Sequence, residues 1–351
     1  MNLSFSWYAP THGDSRYIGL KDPEFAGTPD YIKDVAISAE KSGFDSILIP
    51  TGPNCSDAFI TATHIVTLTK KIKPLIAIRP GFIAPSVAAK MTATLDQISK
   101  GRVSLNIVTG GSPMELAMDG DFLAHDDRYR RTHEFVEIMK KIWTDEDVSI
   151  TGEFFQVKNA KLNPKPDQKP YPKLYLGGSS DCAIDVAAKS VDTYLMWGEP
   201  VEQVQLQIQK VKRKVETLGR DINFGMRINL IIANTEKEAW HKAEQMVKKV
   251  DDSHVKRLNQ YISNSDSTAL RRIQSLNNKM VKDKCFWTGM VPYRSGNSTA
   301  LVGSVEQIKE SLQKYVEAGI TEFIFSSYPH IETVSYVGEK LIPLLKETVL
   351  S

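Results

Sequence analysis

The sequence predicts an α/β fold, a (β/α)8 or TIM barrel formed as a single domain over residues 1–351. Eight short segments rich in β-branched and aromatic residues alternate with amphipathic helical segments, which is the pattern of a parallel α/β fold. The short segments are also nearly continuous in apolar residues, as in 75–78 (LIAI) and 323–326 (FIFS). Such runs indicate strands covered on both faces. Eight repeats favour a closed barrel over an open, doubly wound sheet.

The predicted strands, in order along the chain, span 3–8, 46–49, 75–79, 103–109, 173–176, 193–197, 225–233 and 322–326. A helix is predicted after each of them. The clearest examples are 86–99 and 127–143. The second places Phe135, Ile138 and Ile142 on one face, a spacing that a helix packed on a core requires.

Two insertions interrupt this alternation. Residues 148–158 alternate in polarity around Thr151-Gly152 and predict a small hairpin. Residues 251–293 are long, polar and rich in Ser, Asn and Lys. Because a long insertion between the last two barrel units can overhang the active face, it is interpreted as a lid. A helical excursion that serves only packing is equally compatible with the spacing of Leu270, Ile273 and Leu276.

Composition and charge restrict the partners. The chain has 41% hydrophobic and 25% charged residues and a net charge of +2, which gives no basic stripe for a nucleic acid and no apolar run of membrane-spanning length. Three separated cysteines offer neither a disulfide framework nor a CxxC metal site, so no metal is expected. The first residues lack a signal-peptide pattern, and we expect a cytoplasmic protein that acts on a small molecule.

The segment 173–180 (KLYLGGSS) leads from a predicted strand directly into a predicted helix. Glycines let the backbone approach an anion, and serine hydroxyls with free N–H groups at a helix start can bind it. Spacing for a dinucleotide and a lysine for a triphosphate are both missing, so a monophosphate such as that of FMN fits better. A glycine-rich turn with a serine helix cap is the structural alternative.

Active sites of barrels lie where strands end, and polar residues there are therefore candidates. They are His12, Cys55, Arg79, Asn106, Thr109, Gly110, Trp197, Arg227, Asn229, Tyr328 and His330. An arginine within a strand, such as Arg227, is costly to bury unpaired, so either a structural ion pair or an anionic ligand is expected beside it. Arg294, at the end of the predicted lid, can close over the same anion.

Motifs at these positions resemble the alkanesulfonate monooxygenases, which belong to the bacterial luciferase-like group of flavin-dependent barrels. The resemblance covers about residues 3 to 345 and is carried by FSWYAPTHGDSRYIG, ILIPTGPNCSDAF, AIRPG, NIVTGGSP, HDDRYRRTHEF, LYLGGSS, YLMWGEP, STALVGS and SSYPH. It implies that FMNH2, supplied by an NAD(P)H:FMN reductase, reacts with O2 and that a small alkanesulfonate is oxygenated. Its carbon–sulfur bond then breaks to give an aldehyde and sulfite. A homodimer or homotetramer is also implied.

The resemblance further assigns residues to the cofactor. Gly178, Ser179 and Ser180 correspond to the phosphate site, with the Tyr129 hydroxyl reaching the same group. Ala77, Asn106 and Thr109 correspond to positions near the isoalloxazine, and Cys55 lies beside the flavin. As a lone cysteine, Cys55 is also compatible with inert packing.

The substrate end is implied to contain Trp197, Arg227, Arg294, Tyr328 and His12, with His330 as a further member or a structural loop residue. One position departs from the family. Alkanesulfonate monooxygenases carry Arg-x-His in the seventh strand, where this chain has Arg227-Ile228-Asn229. An amide can hydrogen-bond but cannot titrate near neutral pH, so Asn229 changes the proton-transfer step if it takes part in catalysis.

Other functions of the same barrel group stay open at this point. Dimethyl sulfone, or another organosulfur compound, is the second substrate class, although a neutral sulfone does not need two arginines. A deazaflavin-dependent dehydrogenase needs a site for a longer polyanionic cofactor tail than this turn offers. A flavin-binding protein without turnover is compatible with the loss of the strand-seven histidine.

Overall fold

Parallel strands form a closed barrel in the computed structural model, which describes residues 2–277 and 283–350. The strands are β1 (Ser4–Tyr8), β2 (Ser46–Ile49), β3 (Lys73–Ile78), β4 (Ser104–Ile107), β5 (Val148–Thr151), β6 (Gln156–Ala160), β7 (Lys173–Gly177), β8 (Thr193–Trp197), β9 (Asn223–Ala233), β10 (Phe286–Trp287), β11 (Ala300–Ser304) and β12 (Glu322–Ser326). Eight of them, in the order β1-β2-β3-β4-β7-β8-β9-β12, pair in parallel, and β12 pairs with β1 to close the ring. The predicted (β/α)8 barrel is confirmed.

Helices surround the strands. They are α1 (Pro29–Lys41), α2 (Ala58–Leu68), α3 (Pro85–Ser99), α4 (Pro113–Met118), α5 (His125–Thr144), α6 (Asp181–Ser190), α7 (Val201–Glu216), α8 (Glu236–Met246), α9 (Asp252–Ser263), α10 (Thr268–Gln274), α11 (Val305–Ala318), α12 (His330–Lys340) and α13 (Ile342–Leu350). A search of the described residues finds no helix with the length and apolar character needed to cross a membrane.

The main core lies between the strands and the helices. The face of α5 that carries Phe135, Ile138 and Ile142 is buried against it, since the 3.6-residue period places these side chains on one side. Trp7 of β1 packs on Phe44, with ring centres 5.1 Å apart. A smaller cluster, formed by side chains from six of the eight barrel strands, includes Tyr8, Leu48, Leu75, Tyr175, Leu195 and Ile324. This layering leaves the carboxyl ends of the strands free for a site.

Strand β9 is longer than its barrel neighbours and belongs to two pairings. Its first half pairs with β8 and β12, while residues from Asn229 to Ala233 pair in parallel with β11. β10 then adds antiparallel to β11. The eight-repeat prediction did not include β10, which has only two residues, or β11, which lies outside the ring of eight strands. Asn229 therefore sits at a branch point of the sheet.

The two insertions lie outside the barrel strands. β5 and β6 pair as a separate antiparallel sheet, at the position of the predicted hairpin. Of the predicted lid, 251–293, residues 278–282 lie outside the described residues. The described part contains α9, α10, β10 and a 3-10 turn at Val291–Tyr293. Leu270, Ile273 and Leu276 are buried, so this part of the insertion packs on the molecule through a helical apolar face.

Candidate active site

A cavity of about 320 Å3 lies where strands β4, β7 and β8 end. One side is formed by the residues after β4 and by the glycine–serine turn after β7. Another is formed by the insertion, which contributes Tyr261 and residues 265–270. Predicted site residues in its wall are Asn106, Thr109, Tyr129, Gly178, Ser179, Ser180, Trp197 and Arg227. The position at the carboxyl ends of the strands is the one that the barrel fold predicts for a site.

The turn between β7 and α6 has the geometry of an anion cradle. Gly178 has φ of +133°, and a Cβ added there lies 2.6 Å from the Tyr129 hydroxyl, so only glycine fits. The Ser180 Oγ accepts a hydrogen bond from the Ala183 N–H at 3.3 Å and caps α6. The Ser179 Oγ is buried without a hydrogen-bond partner among the residues that the structure describes. A ligand with acceptor oxygens would satisfy it.

Tyr129 keeps its phenolic proton at this turn. Burial, the main cause, raises its pKa to about 12, and a hydrogen bond with Ser180 opposes that rise. At neutral pH the hydroxyl is therefore a donor that faces the turn. Together with the α6 N-terminus, it favours a bound anion within the turn.

A chain of hydrogen bonds connects the insertion to this turn. The Tyr194 hydroxyl donates to the Gly178 carbonyl, and Gln207 Nε2 donates to the Tyr194 oxygen at 2.6 Å. Arg272 of α10 donates to Gln207 and forms an ion pair with Glu199 at 2.8 Å. A second ion pair, between Arg128 and Asp266 at 2.6 Å, holds the other end of the same segment. These ion pairs and hydrogen bonds therefore hold the described part of the insertion in place beside the cavity.

The residues expected near a flavin ring divide into two groups. Asn106 and Thr109 reach the cavity, and the Thr109 Oγ lies 3.3 Å from the Thr132 Oγ. Ala77 is buried in β3 in register with Asn106, behind the cavity surface. Arg79 lines the cavity and forms an ion pair with Glu115 at 3.0 Å. That carboxylate gives Arg79 the structural partner that the sequence left undetermined.

Two other arginines meet beside the cavity without such a partner. Arg227 lies over the Tyr8 ring, with its Cζ 3.9 Å from the ring centre, and also lines the cavity. Arg294 lies over the Tyr328 ring at 4.9 Å and donates a hydrogen bond to its hydroxyl. The arginines whose ion pairs are described are Arg16, Arg79, Arg128, Arg130, Arg131 and Arg272. Arg227 and Arg294 are not among them in residues 2–277 and 283–350. The buried Arg227 Nε has no acceptor there, as is also the case for Arg79, Arg128 and Arg131, so the missing ion pair is what sets Arg227 apart.

The electrostatics of this arginine pair favour an anion. Burial, followed by the charge of Arg227, lowers the pKa of Arg294 to about 10, so both side chains are charged at neutral pH. Although His12 keeps an exposed surface, the surrounding protein and the two guanidinium charges lower its pKa to about 4. Asp14 is an acid whose charge acts on Arg294; burial raises its pKa, and its Oδ2 accepts from the Tyr31 hydroxyl at 2.6 Å. Among the described residues, neither guanidinium of the pair forms an ion pair with a carboxylate.

Asn229 uses its amide to hold the backbone beside this pair. Its Nδ2 donates to the carbonyls of Asn297 at 3.0 Å and Thr299 at 2.8 Å. Its Oδ1 accepts from the Ser326 hydroxyl at 2.9 Å and the Tyr328 hydroxyl at 3.3 Å. All of these contacts are internal, so Asn229 orients Tyr328 and the strand after Arg294.

The other predicted residues surround Tyr8. The His12 and His330 rings lie 6.0 and 5.8 Å from the Tyr8 ring, and His330 also lies 5.3 Å from Tyr328. His330 is fully buried at the start of α12, where its backbone N–H donates to the Asp14 Oδ2. Cys55 is half-buried, and burial raises its pKa, so it is a thiol at neutral pH. His12 and His330 contact Tyr8, and Tyr8 contacts Arg227, which lines the cavity.

Tyr8 is the site residue that the sequence analysis missed. It is 5% exposed, its hydroxyl hydrogen-bonds with Arg227, and burial raises its pKa. It lies within a predicted strand, and the apolar pattern of that strand concealed its polar atom. Because it is the last residue of β1, the strand-end rule applied to Arg79 and Trp197 also identifies Tyr8.

Comparisons with known proteins agree with the barrel fold. The sequence model of the luciferase-like monooxygenases matches residues 3–322. A riboflavin lyase (RcaE), solved with modified FMN and riboflavin, superposes with a TM-score of 0.83 at 19% identity over 100% of this chain and 93% of its own. A long-chain alkane monooxygenase (LadA) superposes with a TM-score of 0.81 at 18% identity, over 99% of this chain and 92% of its own. DmoA from Hyphomicrobium sulfonivorans superposes with a TM-score of 0.81 at 18% identity, over 99% of this chain and 88% of its own. With a match over nearly its whole length, the chain belongs to the luciferase-like monooxygenase family.

Proposed function

We propose that this protein is the oxygenase of a two-component, FMNH2-dependent system that cleaves the carbon–sulfur bond of a small alkanesulfonate. An NAD(P)H:FMN reductase supplies the reduced flavin in the cytoplasm. The alkanesulfonate, O2 and FMNH2 give an aldehyde, hydrogen sulfite, FMN and water. One oxygen atom enters the aldehyde and the other leaves as water, so atoms and electrons balance.

The arginine pair carries this proposal. Arg227 and Arg294 are held beside the cavity with aromatic rings beneath them and no described carboxylate in ion-pair contact. Two unpaired guanidiniums are costly to bury and are retained when an anion completes them. A sulfonate offers three acceptor oxygens to their fork of donors. A neutral sulfone has no charge to balance two guanidiniums, which is why the sulfonate is preferred.

The glycine–serine turn supports FMN as the cofactor. The unpartnered Ser179 Oγ, the Tyr129 hydroxyl and the α6 N-terminus fit a single phosphate. Gly178, Ser179, Ser180 and Tyr129 would hold this phosphate, and Asn106 and Thr109 would face the ring. Bound in this way, reduced FMN supplies the activation of O2. The turn itself, residues 177–180, has no cationic side chain for the longer anionic tail of a deazaflavin.

The remaining residues bind, orient and shield. Arg227 and Arg294 orient the sulfonate, and they stabilise negative charge that develops during oxygen transfer. The Tyr8 hydroxyl, kept neutral by burial, can donate a hydrogen bond at the same point. Tyr328 is positioned by Asn229 and Arg294, so the internal amide replaces the orienting role of the family histidine. Trp197 and the fastened insertion limit the access of water.

We also propose a homodimer or homotetramer. The outer helices α2 and α3 expose several apolar side chains, which are Ile60, Leu68, Val87 and Ile98. Their exposure, between 46% and 73%, is high for isoleucine, leucine and valine and supports subunit contacts through the early units of the barrel.

Sulfite release tests the proposed function. The purified protein, FMN, NADH and an FMN reductase are incubated in air with sulfonates from methanesulfonate to octanesulfonate, and with dimethyl sulfone in parallel. Sulfite above the level formed without the protein, with an optimum in chain length, supports the proposal. Product from the sulfone but not from any sulfonate assigns the second substrate class. Hydrogen peroxide with no organic product contradicts both assignments.

A further inference from the structure

Outside the arginine pair, three side chains of different chemistry meet between the starts of α5 and α6. The His125 Nδ1 lies 2.7 Å from the Asp126 Oδ1. The Cys182 Sγ lies 3.3 Å from the same carboxylate oxygen and 3.7 Å from the His125 Nδ1. We refer to these residues as the His–Asp–Cys cluster. A sequence pattern could not reveal it, because Cys182 comes from a different helix than the other two.

The spacing of the three atoms suits a small divalent cation. Zinc binds nitrogen, oxygen and sulfur ligands at about 2.0–2.3 Å, usually as a tetrahedron. The ligand atoms of such a tetrahedron are about 3.3–3.6 Å apart. The three observed separations lie within about 0.6 Å of those values, a difference that small side-chain rotations remove. Thiolate and imidazole ligands also select zinc over the harder ions magnesium and calcium.

We propose that the His–Asp–Cys cluster binds one Zn2+ ion through the His125 Nδ1, an Asp126 carboxylate oxygen and the Cys182 Sγ. Binding replaces the thiol proton of Cys182, which is released to solvent. No fourth protein ligand of the His, Cys, Asp or Glu type joins the cluster in the described ranges. One coordination position is therefore open to water or to an anion, as in zinc sites that exchange a ligand.

Helix capping alone does not account for these residues. α6 is already capped by the Ser180 Oγ, and the Cys182 thiol is not needed for that bond. The Asp126 side chain is 80% exposed, so its carboxylate can turn toward a cation without leaving a buried partner unsatisfied. The helix cap and the packing of these side chains therefore do not require them to lie together.

The site adjoins the phosphate turn. His125 lines the cavity, and the Cys182 Sγ lies 3.2 Å from the Ser180 Oγ. A divalent cation there adds positive charge beside the anion cradle. If FMN binds at this turn, zinc and FMN therefore strengthen each other's binding by the same factor. This second consequence depends on the proposed function, whereas zinc binding itself does not.

Cobalt titration of the full-length protein without flavin tests the site. Co2+ replaces Zn2+ in such sites and, when bound to a thiolate, gives a charge-transfer band in the near ultraviolet. We expect this band to saturate at one Co2+ per chain and to disappear when Zn2+ is added. In Cys182→Ser it should be lost, and in Asp126→Asn the affinity should fall by at least about tenfold.

Asp127→Asn is the matched control. Asp127 lies in the same first turn of α5 but pairs with Arg130 at 2.6 Å, away from the cluster. Its replacement should leave the titration unchanged. Absence of the band in the wild-type protein, or a band that persists in Cys182→Ser, overturns the proposal. Because no flavin is present, either result is independent of the FMN assignment.

Discussion

At the scale of single residues, the site contains buried polar atoms that have no hydrogen-bond partner among the described residues. Ser179 has a buried hydroxyl with no described partner, and Arg227 has a buried Nε with no described acceptor. Buried polar groups are usually satisfied, and those that are not need a ligand or another explanation. In this chain both atoms belong to residues that line one cavity.

Replacement of Ser179 separates ligand binding from folding. In Ser179→Ala the hydroxyl forms no described bond that is lost, so the free energy of unfolding should change by less than about 0.5 kcal/mol. FMN binding should weaken about tenfold, since one hydrogen bond to a charged phosphate is removed. Urea unfolding and anaerobic fluorescence titration measure the two effects.

Ser304→Ala is the control for that substitution. Ser304 caps α11 in a capping box with Gln307, far from the glycine–serine turn. Its loss should destabilise the protein by about 1 kcal/mol and leave FMN affinity unchanged. Equal FMN affinity in Ser179→Ala and the wild type would contradict the assignment of the FMN phosphate to this turn.

Tyr8 can be tested by removing a single oxygen atom. Tyr8→Phe keeps the ring beneath Arg227 and removes the hydroxyl that hydrogen-bonds with it. We expect kcat to fall at least about tenfold with little change in FMN affinity, as for a lost donor at a developing charge. Steady-state kinetics with coupled sulfite detection measure this, and Tyr336→Phe, whose hydroxyl contacts Asn234, is the control. An unchanged kcat assigns Tyr8 to packing.

The pH dependence of sulfonate binding follows from two pKa values. Arg294 has its pKa lowered to about 10, so its charge is present below that pH and is lost above it. His12, with its pKa lowered to about 4, stays neutral until acid is added. Sulfonate affinity should therefore be constant from about pH 6 to 9 and weaken as the pH passes about 10. A binding transition near pH 7 contradicts this assignment.

At the scale of elements, the insertion is held both by buried apolar side chains of α10 and by ion pairs to the rest of the chain. Arg272 on α10 contacts Glu199 and Gln207, and Gln207 supports the Tyr194 hydroxyl that bonds to Gly178. Glu199 is buried, and burial raises its pKa. Loss of Arg272 would leave this carboxyl group without its charged partner. It would also remove the first bond of the chain that joins the insertion to the phosphate turn.

Arg272→Met should loosen the insertion. The lost ion pair and hydrogen bonds cost about 1–3 kcal/mol, most of it felt locally. Backbone amides in 265–274 should exchange faster with deuterium, and more hydrogen peroxide should form for each sulfite because water enters the cavity. Arg271→Met, on the exposed side of the same helix, removes only a bond to the Asp266 carbonyl within the insertion and should leave hydrogen peroxide formation unchanged. Unchanged deuterium exchange in Arg272→Met would contradict the inference that Arg272 holds the insertion in place.

At the scale of the whole molecule, the sequence was sufficient for the barrel and only partly for the site. The strand–helix alternation predicts the closed sheet because strands buried on both faces have a distinct apolar pattern. It did not predict β10 and β11, because β10 has only two residues and β11 pairs with the end of β9, outside the ring of eight strands. The glycine–serine turn was predictable because it is contiguous, whereas the partners of Asn229 come from distant segments.

The same contrast applies to charge. The sequence left Arg79 and Arg227 equivalent, as arginines at or within strands. Only the fold places Glu115 against Arg79 and leaves Arg227 without a described carboxylate. Long-range partners of this kind follow from how strands and loops meet, and no spacing within one segment encodes them.

The central claim is that the Arg227–Arg294 pair recognises an anionic organosulfur substrate. The most direct test compares the affinities of ethanesulfonate and ethyl methyl sulfone for the protein saturated with reduced FMN, under anaerobic conditions, by tryptophan fluorescence. The two ligands are similar in size and differ in charge. We predict that the sulfonate binds at least about tenfold more tightly, a difference of about 1.4 kcal/mol, and that Arg294→Met removes this preference. Equal affinities, or tighter binding of the sulfone, contradict the claim.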